Sequence, residues 1–132
     1  MSPYVPCKRG TLLILSGPVE HLHIVLNDPV YYPEAAYEGC LLVNISSVRP
    51  GRRFDSTCIF EVGEHSFLTK QSYVVYKDAV VKSAQDISTY VETGEFSTRQ
   101  PVSEELFDRI MHGFSVSSRV TPKIKRFIKN YI

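Results

Sequence analysis

The sequence predicts a mainly β domain of the α+β class: a small barrel or sandwich of short strands followed by two C-terminal helices. Three observations lead there. Over the first two thirds, short apolar runs are broken at close intervals by Gly, Pro and Asp, a spacing that suits hairpins rather than βαβ units. From residue 103 the apolar period lengthens from two residues to that of a helix. A chain of 132 residues can bury roughly two thirds of its unfolded surface, enough for one core without staples.

Thr11 to Leu15 reads as the first strand, ended by the turn Ser16-Gly17-Pro18. His21 to Leu26 is the second, and Asn27-Asp28-Pro29 stops it because proline lacks a ladder donor. A Tyr/Pro-rich loop from Val30 to Glu38 follows. Cys40 to Ile45 is almost continuously apolar, which marks a central strand buried on both faces. Beyond the turn Arg49 to Arg53, Thr57 to Val62 is a strand broken by Gly63, and Ser72 to Tyr76 is the next, with Ala79 to Lys82 extending it after a bend. Asp86 to Glu92 fits helix or strand. Ser103 caps a helix with Glu104 and Glu105 in its first turn; Leu106, Phe107, Ile110 and Met111 line its inner face, and Gly113 is its expected stop. Thr121-Pro122 opens a second helix whose inner face holds Ile124, Phe127, Ile128 and Tyr131, with a basic outer face. The expectation is a single domain over 1–132, with the strands in 1–98 and the two helices in 99–132.

Apolar residues at 43% and charged residues at 22% are ordinary globular values, and no segment approaches the length of a bilayer span. A soluble protein with no membrane contact is expected. The opening MSPYVPCKRG lacks the apolar core of a signal peptide, which points to the cytoplasm. Cys7, Cys40 and Cys58 are odd in number and widely spaced, unlike a disulfide framework or a zinc site, so no metal is expected. No phosphate loop, nucleophile elbow or dinucleotide fingerprint is present, so no cofactor is expected either. A net charge of +1 supplies no global field for a polyanion. Local clusters carry that weight: Lys8-Arg9, the Arg49, Arg52 and Arg53 turn, and Arg119, Lys123, Lys125, Arg126 and Lys129.

The segment from His65 to Ala79, HSFLTKQSYVVYKDA, sets an imidazole, an ammonium, a hydroxyl and a phenol beside an apolar strand, the kind of cluster that serves phosphate or acid/base chemistry. The early strands, KRGTLLILSGPVEHLHIVLNDP and GCLLVNISSVRPG, resemble the start of the MazF/PemK family of toxin endoribonucleases. Lys8-Arg9-Gly10, Leu22 to Asp28 and Leu42 to Ser47 stand where that family has its basic-Gly opening, its Asn-Asp strand end and its buried strand closing on small hydroxyl residues. The resemblance covers roughly the first 80 residues and implies an SH3-like barrel. Its implied activity is metal-independent cleavage of single-stranded RNA, as the toxin of a type II toxin–antitoxin system with a cognate antitoxin. A homodimer is implied as well. The family's Arg-Pro pair at the mouth of the second strand is Glu20-His21 here, and its catalytic hydroxyl falls on Ser46 or Ser47.

Cleavage of this kind needs a base for the 2′-hydroxyl, an acid for the leaving oxygen and cations for the phosphate charge. His65, Lys70, Ser72 and Tyr73 supply those groups as the expected catalytic set. On a strand Lys70 and Ser72 share one face and Tyr73 takes the other, so one site needs a bend there. The plainer account makes His65 and Ser66 a turn, Lys70 an edge cover and Tyr73 a core residue. His21, Ser46, Ser47, Arg49, Arg52 and Arg53 are the expected RNA contacts, because guanidiniums around a Pro-Gly bend suit phosphate oxygens. His21 and His23 share a strand face, but no third ligand joins them as a metal site needs. Tyr4, Tyr31, Tyr32 and Tyr37 offer stacking surfaces that also suit a protein interface. The second functional class is a non-catalytic barrel module that docks a protein or nucleic acid.

Overall fold

In a computed structural model of the chain, residues 3–132 are described; Met1 and Ser2, the start of the segment read above for a leader, lie outside them. The fold is α+β and mainly β, with an eight-stranded antiparallel sheet and three α-helices. No helix among the described residues is long and apolar enough to cross a membrane.

β1 (Thr11–Ser16) and β2 (Val19–Val25) form a hairpin turned at Gly17, whose φ of 60° is left-handed and suits a residue without Cβ. β3 (Val30–Tyr32) lies inside the segment expected to be a loop and pairs with the start of β4 (Tyr37–Ser47). β4 is central, as its apolar run predicts. β2 and β3 pair along one of its edges, and β6 (Ser72–Val74) and β7 (Val80–Ser83) along the other.

Alternation along β4 divides the interior into two cores. Leu41, Val43 and Ile45 pack with α2 (Glu104–Val116) and α3 (Pro122–Tyr131). Cys40 and Leu42 face the other way, against Ala84 and Ile87 of α1 (Ala84–Glu92). The ambiguous stretch at 86–92 is therefore helical; Ser83 caps it by accepting from the Asp86 amide at 3.2 Å. Ser103 caps α2 in the same way, through the Leu106 amide at 3.1 Å.

The strand expected over 57–62 shrinks to β5 (Ile59–Phe60). Side chains take the flanking amides instead: the Asp55 carboxylate accepts from Thr57 N–H at 3.0 Å and Glu64 accepts from Glu61 N–H at 2.8 Å. The strand expected over 72–76 ends at Val74, and Tyr76–Asp78 form a 3₁₀ turn. β8 (Ser97–Arg99) pairs with β1 and was not expected. Gly113 does not stop α2, which runs to Val116. It is small for another reason: Tyr76 crosses the helix there and donates its hydroxyl proton to the Ile110 carbonyl at 2.8 Å.

The sheet is not a closed barrel. Its strand path runs β5-β6-β4-β2-β1-β8, and the two end strands do not pair. They are two and three residues long, too short to carry a closing ladder. On the β5 side Arg109 of α2 donates to the Ile59 carbonyl.

Candidate functional site

In an antiparallel sheet, directly paired residues share a face. Leu12 pairs His23, Ile14 pairs His21, His23 pairs Asn44, and Ser46 pairs Tyr73. The face that is apolar under α1, through Leu12, Val25, Cys40 and Leu42, thus turns polar farther along three neighbouring strands. It continues as Ser16 on β1, His23 and His21 on β2, and Asn44 and Ser46 on β4.

These polar ends line a cleft of about 420 Å³ that Tyr73 and Lys77 close from the other side. Tyr73 also lines an adjoining cleft of about 260 Å³ with Ser46, Ser47, Arg49, Arg52 and Arg53. A third, of about 60 Å³, joins Tyr73 and Lys77 to Arg53, Phe54 and Arg119. The Tyr73 ring is therefore the common wall of three depressions. It leans on Phe54 with ring centroids 4.9 Å apart and planes at 42°.

The turn at Gly51, φ 75°, bends the chain so that Arg49, Arg52 and Arg53 stand exposed beside that ring. The one ion pair among the described residues, Arg109 with Glu64, borders a different cleft. The cations around Tyr73 keep their charge available to a ligand. Asp55 sits at the edge of the third cleft. Burial pushes its carboxyl up, but bonds donated by the Ser117 hydroxyl and by the Thr57 hydroxyl and amide outweigh this and hold it below the usual range.

His23 is the chemically distinctive group. Its Nδ1–H donates to the His21 carbonyl at 3.0 Å, which leaves the Nε2 lone pair for the cleft. Burial pushes its pKa down, with His21 and Lys82 adding smaller shifts the same way, while the bond to the His21 carbonyl pulls it up. The ring is neutral at pH 7 and can accept a proton.

The expected catalytic set divides. Tyr73 faces the clefts, while Ser72 points to the other sheet face, is 2% exposed and donates its hydroxyl to the Lys70 carbonyl at 2.9 Å. Lys70 is exposed and lines none of the clefts around Tyr73. His65 is 3% exposed; its Nε2–H donates to the Gln100 carbonyl at 2.8 Å and its Nδ1 accepts from the Phe67 amide at 3.1 Å. Both nitrogens are committed to backbone, so this imidazole fixes the 61–71 loop to the chain before α2. Of the expected RNA contacts, His21, Ser46, Ser47, Arg49, Arg52 and Arg53 all line the clefts.

Sequence reasoning gave no site role to His23, Phe54 and Lys77, and it named Arg119 only within the basic C-terminal set. The signal for His23 and Asn44 was present as period-two polar positions, at 21 and 23 and at 44 and 46, on adjacent strands. It becomes visible only once register is known. Among the described residues no three His, Cys, Asp or Glu side chains are placed to hold a metal ion. Another cleft, about 310 Å³ between residues 3–6 and α1, has Glu38 as its sole charged lining residue. Set against family models and against curated proteins, the chain matches none.

Proposed function

We propose that the chain binds single-stranded RNA over the Tyr73 clefts and cleaves it without a metal ion, as the toxin of a toxin–antitoxin pair. The observation that carries this is one aromatic ring shared by three depressions, edged by unpaired guanidiniums on one side and two imidazoles on the other. Stacking on Tyr73 and Phe54 suits unpaired bases, and Arg49, Arg52 and Arg53 suit backbone phosphates. The resemblance of the first 80 residues to MazF/PemK toxins supports the same class.

In this reading His23 Nε2 takes the 2′-hydroxyl proton. The 2′-oxygen attacks phosphorus, the bond to the 5′-oxygen breaks, and His21 gives that oxygen a proton. Arg53 and Lys77 offset the charge that builds on the phosphate. The products are a 2′,3′-cyclic phosphate and a 5′-hydroxyl. An acidic antitoxin segment laid over the same cations would block the path.

A second reading, a non-catalytic docking module, draws on the commitment of His65 and Ser72 to backbone bonds. One experiment separates the two. Purified protein incubated with unstructured RNA in EDTA is expected to yield cyclic-phosphate ends, and His23→Ala to lose at least about a hundredfold in rate, the low end for a proton-transfer group, while still binding RNA. Intact RNA that remains bound rejects the nuclease and leaves the module. His65→Ala is expected to lower the melting temperature, because it leaves the Gln100 carbonyl and Phe67 amide without their partner.

A further inference from the structure

Cations outnumber acids at the Tyr73 clefts and along α3. Arg49, Arg52, Arg53, Lys77 and Arg119 stand on the Tyr73 clefts with two acids, Asp55 and Asp78, and α3 adds Lys123, Lys125, Arg126 and Lys129 with none. Together the cleft linings and α3, which packs under the opposite face of the sheet, hold nine of the 15 cations and two of the 14 acids.

The two basic regions are continuous along the chain. Arg119 lines the third cleft, and α3 begins at Pro122, three residues on. Three residues span at most roughly 11 Å, so α3 begins within that reach of the Arg119 backbone. Ile124 and Phe127 are buried and Ile128 and Tyr131 pack behind them, with the Phe127 and Tyr131 rings against Tyr32. At 3.6 residues per turn this sets Arg126 and Lys129 at the centre of the opposite, exposed face, flanked by Lys123 and Lys125.

We infer that the outer face of α3 is a secondary phosphate-binding track, which takes the segment of RNA strand leaving the clefts past Arg119. It rests on the RNA reading above and specifies how far the footprint extends. The track carries no base-reading group and acts through phosphate alone. The clefts can hold a short oligonucleotide; the helix contributes only when the strand is long enough to pass Arg119. A nucleic-acid strand is favoured over an acidic peptide because the stripe continues from clefts that also offer aromatic faces.

The test uses 2′-O-methyl RNA, which cannot form the cyclic phosphate, in lengths of about four and about sixteen nucleotides, the range of single-stranded sites on one small β domain. The variant carries Lys123→Gln, Lys125→Gln, Arg126→Gln and Lys129→Gln, all exposed, and is expected to keep its melting temperature. Its affinity for the long strand should fall by about tenfold or more, and the slope of log affinity against log salt by about 2 to 3, since each released phosphate contact contributes about 0.7. Its affinity for the short strand should not change. If the fourfold variant fails to fold, Arg126→Gln with Lys129→Gln carries the same comparison at about half the slope change.

Unchanged long-strand binding overturns the track while leaving the clefts as the RNA site. Equal losses on both lengths overturn it too, since the helix would then act through the general field. A wild-type protein that binds neither length removes the RNA reading and the track together. Binding of polyglutamate by the wild type and not the variant, with RNA affinity intact, makes the face a protein-docking surface and also overturns it.

Discussion

Gly113→Ala turns on sign. Helix propensity alone favours alanine at an interior helical position by about 1 kcal/mol, and Gly113 lies inside α2. The structure opposes this. A Cβ at Gly113 would stand 1.8 Å from Tyr76 Oη and 2.5 Å from its Cζ, so restoring ordinary contact requires the ring to move by about 1.6 Å, or α2 to shift away. Tyr76 is fully buried, its hydroxyl donates to the Ile110 carbonyl at 2.8 Å, and its ring meets Phe114 edge-on at 4.8 Å. Displacing it costs about 1–3 kcal/mol for overpacking, and stranding the hydroxyl adds a further ~1 kcal/mol or more. After the propensity gain the net loss is about 1–3 kcal/mol. Chemical denaturation of both proteins measures it at a common slope. Tyr76 begins the 3₁₀ turn that carries Lys77 to the cleft, so RNA affinity should fall in parallel. In Tyr76→Phe the nearest clashing atom is gone, and Gly113→Ala should cost less there. A neutral or stabilising Gly113→Ala would refute the packing argument outright.

Tyr73→Ala should weaken RNA binding by about 1–3 kcal/mol, the worth of one stacked base, while Tyr73→Phe binds like wild type; equal losses in both, read by fluorescence anisotropy, would deny stacking. His23 has a folded pKa below its unfolded value, so the unfolded chain binds more protons near pH 6. The stability it contributes is full above about pH 6.5 and is lost as pH falls below that, and thermal melts from pH 8 to 5 should flatten in His23→Gln. Asp55 and Glu64 have folded pKa values below their usual 3.8 and 4.5. Burial opposes both shifts; hydrogen bonds and a guanidinium, Arg119 for Asp55 and Arg109 for Glu64, outweigh it. Their stabilisation is therefore present above about pH 4.5 and lost as pH falls through the lowered values, and Asp55→Asn should shrink the loss of melting temperature on acidification.

Legibility in the sequence followed the range of the forces involved. Ser103 and the Thr121-Pro122 start of α3 were readable because capping is local, and β4 because a run buried on both faces leaves its mark in a single strand. Gly113 misled, since a glycine near a helix end looks like a stop unless Tyr76, 37 positions away in the chain, is seen to cross it. β3 and β8 escaped because three residues carry too little pattern to stand apart from a loop. At the site, the arginine turn, Ser46 and His21 were chosen as residue types suited to phosphate, and they line the clefts. His65 was chosen on the same ground, yet its nitrogens bind the backbone of Gln100 and Phe67, and nothing in the segment HSFLTKQSY reveals that burial.

The position of the clefts follows from a mismatch of lengths. α1 has nine residues and is about 13 Å long, whereas β4 has eleven and is about 36 Å. A helix that short covers one end of a sheet face and no more. Under it the strands carry Leu12, Val25, Cys40 and Leu42; beyond it apolar side chains would face water, and the same strands carry His23, Asn44, Ser46 and Ser16 instead. The polar stretch is thus what the uncovered sheet requires for solubility, whatever it binds. Solubility alone, however, is met by any mixture of charges. It does not require that acids be thinned out around Tyr73 and along α3, nor that an aromatic ring stand among the guanidiniums. Those two features are what simple solvation leaves unexplained, and the proposal of RNA binding rests on them.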